Sequence, residues 1–336
     1  MIRDACAFFS EAFGTDSASL AKQIWPYQAL FGLVAIVGFV LFVMSVSVLF
    51  TRTQFFADVS LLNDTDEDYM VFPLKIAKYD LSGKIWFWLA AAGAFVFSAC
   101  TYMRLAGFGY SSFGVISQKE TFALSSWLFI CSFYLLVVFY LWFRFYSSGK
   151  EFNLVRMGVI VPKVVIGKTI LLSVVVALIS FAIVFLAKFF FSSDFRFFMV
   201  AIKGFSIDRL IRSVWPYMPL MIVFFISQSI FQNTVMYNSL LGKFNGFFTA
   251  VFAALPATVL TLVQHLGFIS NGSPVFFNSL IPYNEFVNWL IPVQFAFLGL
   301  SFISRYVFTR TKNNYLPGLI NAFIFTLVIA SNTKMF

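Results

Sequence analysis

Apolar residues run almost without interruption along this chain, broken by short polar segments. Eight stretches of roughly helical-span length follow one another: Tyr27–Phe50, Ile85–Ala106, Phe122–Phe143, Thr169–Phe191, Val214–Phe231, Gly246–Ile269, Val287–Phe308 and Leu316–Thr333. At 1.5 Å per residue a helix of about 20 residues crosses about 30 Å of hydrocarbon. Barrel strands would alternate apolar and polar positions, whereas these stretches are apolar all round. The pattern predicts an all-α, polytopic transmembrane bundle of about eight spans. Pro216, Pro219 and Pro317 fall near the starts of their stretches, where a missing N–H costs little. Pro256 and Pro292 fall further inside and predict kinks.

Two domains are expected: residues 1–26, an amphipathic helix and a linker, and residues 27–336, the membrane bundle. Ala5, Phe8, Phe9 and Phe13 fall near one face of the first helix. The stretch Met1–Pro26 carries Asp4, Glu11 and Asp16, so it has no continuous apolar core of a signal peptide. Two connections are more than turns. The first loop, 51–84, holds the acidic cluster Asp64, Asp66, Glu67 and Asp68, which lacks the glycine and distal glutamate of a calcium loop. The segment 192–213 mixes Phe195, Phe197, Phe198, Ile202 and Phe205 with Arg196, Lys203, Arg209 and Arg212, and predicts an interfacial helix.

Composition agrees. Of 336 residues 60% are hydrophobic and only 11% are charged, and the mean hydropathy is +0.88. Soluble domains keep about a quarter of their residues charged, so a soluble enzyme and a disordered chain are excluded. The net charge of +9 follows from lysine and arginine in loops, not from a nucleic-acid surface. Slightly more of the 23 Lys and Arg fall in loops on the side away from the termini, which places both termini outside the cytoplasm.

The inventory of reactive groups is short. His265 is the one histidine, so a hydrolytic zinc site with its usual two histidines cannot be assembled. Cys6, Cys100 and Cys131 form no Cys-x-x-Cys pair. No Gly-x-Ser-x-Gly elbow occurs, and Gly109-Tyr110-Ser111-Ser112-Phe113-Gly114 has its second glycine one place too far. No cofactor is implied. What remains is a set of polar residues inside the spans: Gln228, Gln232, Gln264, His265, Gln294 and Asn321. Such groups bond between helices or line a substrate path. No carboxylate sits mid-span, against ion-coupled transport. Arg305 is expected to snorkel toward the interface.

Three strings carry a resemblance. Phe8-Phe9-Ser10-Glu11-Ala12-Phe13-Gly14 precedes Gln23-Ile24-Trp25-Pro26; Ser193-Asp194-Phe195-Arg196-Phe197 follows the fourth span; Asn314-Tyr315-Leu316-Pro317-Gly318-Leu319-Ile320-Asn321-Ala322 opens the last. In this order they resemble the C-terminal multi-span domain of membrane-bound bacterial α/β-hydrolases. The resemblance implies that Ile2–Gly14 is the end of the hydrolase's last helix and that the nucleophile, acid and histidine would lie upstream of Met1. The expected role is a non-catalytic membrane domain that anchors or presents a partner, such as a separately encoded hydrolase, in the lipid bilayer. The competing expectation is a permease-type subunit coupled to an ATPase.

Overall fold

A computed structural model describes residues 2–14, 25–61, 81–111, 118–147, 154–155, 157–197, 200–237, 240–273, 275 and 287–333. The acidic cluster at 64–68 lies outside them. Helix α1 (Ile2–Phe13) is followed by eight long helices: α2 (Trp25–Thr51), α3 (Leu81–Ser111), α4 (Lys119–Trp142), α5 (Lys163–Phe191), α6 (Trp215–Asn233), α7 (Asn245–Asn271), α8 (Leu290–Thr311) and α9 (Tyr315–Asn332). All except α1 and α6 are long and apolar enough to cross a membrane. The bundle is therefore all-α and polytopic, as its composition requires.

Helix α6 is the fifth of the eight stretches, and its amides Gln228, Gln232 and Asn233 lower its apolar character. It nevertheless runs the height of the bundle. Near its start the Tyr217 hydroxyl accepts from Gln118 N (3.1 Å) beside α4. At its end Asn233 reaches Ser304 and Asn314 at the junction of α8 and α9. Those contacts lie at opposite ends, and 19 residues span about 28 Å. The polar residues are tolerated because α4, α8 and α9 pack around them.

The core lies between α6 and α9. In α9, 78% of the apolar window is buried, against 22–44% in the other six spans. Gly318 makes this contact possible, since a Cβ there would lie 2.8 Å from Ile226 Cα. Small residues let backbones approach where dispersion, not water exclusion, drives helix association. Aromatic rings fill the space toward α8. Phe325 meets Phe225 edge-on at 5.2 Å and stacks on Phe297 at 5.6 Å.

Three local expectations are corrected. The segment 192–213 does not form a helix throughout. Phe195–Phe197 (β1) pairs antiparallel with Val200–Ile202 (β2), with Arg196 opposite Ala201. Alternation sets this local choice: Arg196 is exposed between half-buried Phe195 and Phe197. Next, Pro292 is the third residue of α8, so it sits in the first turn and implies no kink. Finally, Pro219 lies inside α6, and a π turn at Leu210–Val214 precedes Pro216. Pro216 offers no N–H to the carbonyl four residues back and crowds it, and the widened turn accommodates both effects.

Gly158 illustrates how tightly the linkers pack. Its φ is +64°, and a Cβ would lie 1.9 Å from the Lys312 carbonyl oxygen. Gly272, at the end of α7, has φ +67° with open space around it. Gly272→Ala should cost only the left-handed strain, about 1–2 kcal/mol. Gly158→Ala should cost that plus an overpacking penalty of about 1–3 kcal/mol. Unfolding of the two variants in mixed micelles, compared with wild type, measures the difference; equal losses would contradict the packing described.

Candidate functional site: a buried polar seam

The polar residues of the bundle gather at the end where α6 finishes and α8 turns into α9. The turn is only Lys312, Asn313 and Asn314, all buried. Lys312 adopts a left-handed conformation (φ +53°), and its N–H donates to Phe308 O at 2.7 Å, closing α8. Asn313 then starts α9. Its Oδ1 accepts from Tyr315 N (2.9 Å) and Leu316 N (3.3 Å), in the way a capping side chain satisfies a helix's first N–H groups. Its Nδ2 donates to Val59 O (3.1 Å) and Thr169 Oγ1 (3.0 Å), tying in the 3-10 turn after α2 and the start of α5. Asn314 Nδ2 donates to Met157 O at 2.7 Å.

From the other side, α6 presents Ser229 and Asn233, four residues apart on one face. Asn233 Nδ2 lies within 3.1–3.3 Å of Ser304 Oγ, Ser229 Oγ and Asn314 Oδ1. One and two turns into the bundle, two amides grip neighbouring carbonyls of α8. Gln232 Nε2 donates to Ser301 O (2.9 Å), and Asn321 Nδ2 donates to Leu300 O (2.8 Å). Helix α8 is thus held between α6 and α9 by its own backbone.

Arg305 does not snorkel. Its Nη2 donates to Gln232 O (2.8 Å) and lies 3.4 Å from Asn245 Oδ1 and Thr249 Oγ1. Its guanidinium stacks 4.2 Å from the Tyr237 ring centroid. The Gln232 carbonyl belongs to the last turn of α6, whose C=O groups have no intrahelical partner and carry the negative end of the helix dipole. That local field and the ring face explain how a cation is held here. Among the described residues, no carboxylate forms an ion pair with Arg305.

The six residues singled out in the sequence separate in space. Gln232 and Asn321 belong to the seam. Gln228, one turn before Gln232, lines a cavity of about 80 Å³ with Ser98, Cys131 and Thr249. Gln264 is buried about five turns along α7 from Asn245. His265 is on an exposed face, its Nδ1 2.8 Å from Thr261 O of the same helix. Gln294 is half-buried near the start of α8. Sequence reasoning passed over Asn233, Asn245, Asn313, Asn314 and Ser304. The signal was available in Asn313-Asn314 before Tyr315-Leu316-Pro317, a helix-start pattern.

Amides, hydroxyls and a guanidinium orient and hold neighbouring groups. Among the described residues no three His, Cys, Asp or Glu side chains group as a metal site. No family model, curated protein or solved structure matches this chain.

Two outcomes test the seam. Asn313→Ala removes four hydrogen-bond contacts from buried partners and should lower bundle stability by about 1–3 kcal/mol; an unchanged unfolding midpoint in detergent would refute its bracing role. Lys312, beside the Tyr237 and Phe308 rings, has its pKa lowered to about 8, first by burial and then by Arg305. A lysine depressed in the folded state gives up its proton there first as pH rises, so stability should increase from about pH 8 toward the ordinary lysine value. Below about 8 the full cost of the buried charge is present. Lys312→Met should flatten that rise and be the more stable protein at pH 7. A rise of the same size in both proteins would show that Lys312 does not titrate this way.

Proposed function

We propose that this chain is a non-catalytic integral membrane domain that anchors and presents a partner, in the manner of the membrane half of a bacterial membrane-bound α/β-hydrolase. The observation that carries the reading is the uncovered aromatic face of α1. Phe8, Phe9 and Phe13 are 67%, 55% and 74% exposed. Phe8 meets Phe9 edge-on at 5.6 Å, and Phe9 stacks on Phe13 at 6.1 Å. A contiguous apolar patch of this kind marks a contact surface. It lies on the helix that, by the resemblance, continues a hydrolase domain. The seam supports the same reading, because its amides are spent on fastening helices to one another.

In this reading the chain is a multi-pass protein of a bacterial cell membrane, with both termini outside the cytoplasm. A permease-type subunit is the second reading, and the cavity beside Gln228 favours it. At about 80 Å³ that cavity holds a few water molecules, and a transported solute would need the surrounding helices to part.

The deciding experiment co-expresses the tagged chain with the product of the reading frame immediately upstream and purifies it in mild detergent. A hydrolase eluting in equal amount is the expected result. Replacing Phe8, Phe9 and Phe13 together by Glu should release it while leaving the melting of the bundle unchanged. The chain eluting alone, with solute flux through reconstituted vesicles, would overturn the anchoring role in favour of the permease.

A further inference from the structure

The bundle carries a second surface of different chemistry, at the opposite end from the seam. A groove of about 950 Å³ runs along α5, bounded by the start of α6, by α9 and by the segment after the hairpin. Leu178, Ala182 and Leu186 of α5 form one wall, and Phe205, Leu210 and Phe323 lie among the others. The Phe205 ring packs edge-on against Phe181 (5.5 Å) and Phe185 (5.4 Å), which fixes the hairpin's exit at the groove's end. The lining is apolar except at that end, where Lys188 enters it.

The cations around this mouth are unequal. Arg196 lies 3.7 Å from Asp194, and Arg212 lies 2.7 Å from Asp208. Arg209 is committed to the carbonyls at the end of α9. Among the described residues, no carboxylate pairs with Lys188 or Lys203. Burial, and then the charges of Arg196, Arg209 and Lys188, lower the pKa of half-buried Lys203, against an opposing influence of Asp194. Lys188 thus lines the mouth of an apolar slot, and Lys203, close enough to feel its charge, stands beside it with no ion pair to a described carboxylate.

We propose that this groove binds one anionic phospholipid, with an acyl chain against Leu178, Ala182 and Leu186 and the phosphate at Lys188 and Lys203. Charge selects the occupant. A neutral or zwitterionic lipid would fill the groove and leave the positive potential uncompensated, whereas an anionic headgroup offsets it.

Native mass spectrometry of the full chain in detergent provides the test. Palmitoyl-oleoyl phosphatidylglycerol should be retained in preference to phosphatidylcholine with the same chains. Removing one cation near a headgroup weakens binding about fivefold, so Lys188→Gln with Lys203→Gln should lower phosphatidylglycerol affinity about 25-fold. Ala182→Phe keeps every charge and fills the groove, and it too should lose the lipid. Arg212→Gln, outside the groove, should not. Equal retention of both lipids by the wild type would overturn the proposal. So would undiminished phosphatidylglycerol binding by Ala182→Phe, which would reduce the site to a surface attraction. A thermal melt of each variant separates lost binding from lost folding.

Discussion

The last turn of a helix leaves four carbonyls without partners, and inside a membrane no water stands ready to take them. Helices α6 and α9 are antiparallel at the centre of the bundle, and the end of each is largely buried. Each is closed by an arginine from elsewhere in the chain. Arg305 of α8 reaches the Gln232 carbonyl at the end of α6. Arg209 donates to Ala330, Ser331 and Thr333 at the end of α9. An arginine suits the task because its fixed fork carries five donors and remains charged, so one side chain serves several carbonyls and the dipole together.

Much of the surrounding structure follows from these two closures. Delivering Arg209 to the end of α9 requires the chain to fold back after α5, and the hairpin does this. Its β2 is itself held there by Asn332 Nδ2 on Ala201 O at 2.7 Å. Delivering Arg305 to α6 sets the rotation of α8, which in turn presents Leu300 and Ser301 to Asn321 and Gln232. The start of α4 is built into the same end as Arg209. Gln118 donates through Nε2 to Ala330 O, and Thr121 Oγ1 bonds Thr333 Oγ1 at 3.1 Å. Gln232 and Asn321, two of the polar groups that in isolation read as a substrate path, are thus used to fix the rotation of α8. Each is individually modest in a membrane, about 0.6–2 kcal/mol, and their weight lies in specifying one arrangement of otherwise interchangeable apolar helices.

The spans were legible because lipid leaves a 20-residue apolar stretch one stable form. The positions of Gln232 and Asn321 within buried interfaces were legible for a related reason, since an amide is costly against hydrocarbon. The direction of Arg305 was not. A cation near the end of a span can reach out to headgroups or inward to a helix terminus, and the choice depends on where α6 ends, a relation between residues some 70 positions apart. The hairpin was missed because five aromatic and apolar residues among cations satisfy a helical interfacial pattern as well as a period of two. What separates them is the pairing of Phe195–Phe197 with Val200–Ile202 and the packing of β1 on α2, neither of which is local. Asn313 and Asn314 were passed over because nothing local shows that a polar turn between two spans is fully buried.

The same residue types therefore do opposite work at the two ends of the molecule. At the seam, Arg305 is held by the carbonyl at the end of α6 and the Tyr237 face, and Lys312 is buried beside the Tyr237 and Phe308 rings. Beside the hairpin, only Arg209 is absorbed in this way, and exposed Lys188 and half-buried Lys203 remain beside an apolar slot without an ion pair to a described carboxylate. A bundle that fastened itself by charge alone would need carboxylates among its spans, and the sequence places none mid-span. Carbonyls supply the negative partner instead, but a helix has only one C-terminus. Once the ends of α6 and α9 are capped, a further cation in this region needs another counter-charge: Arg196 and Arg212 have Asp194 and Asp208, and for Lys188 and Lys203 the nearest further source in a bilayer is the headgroup layer.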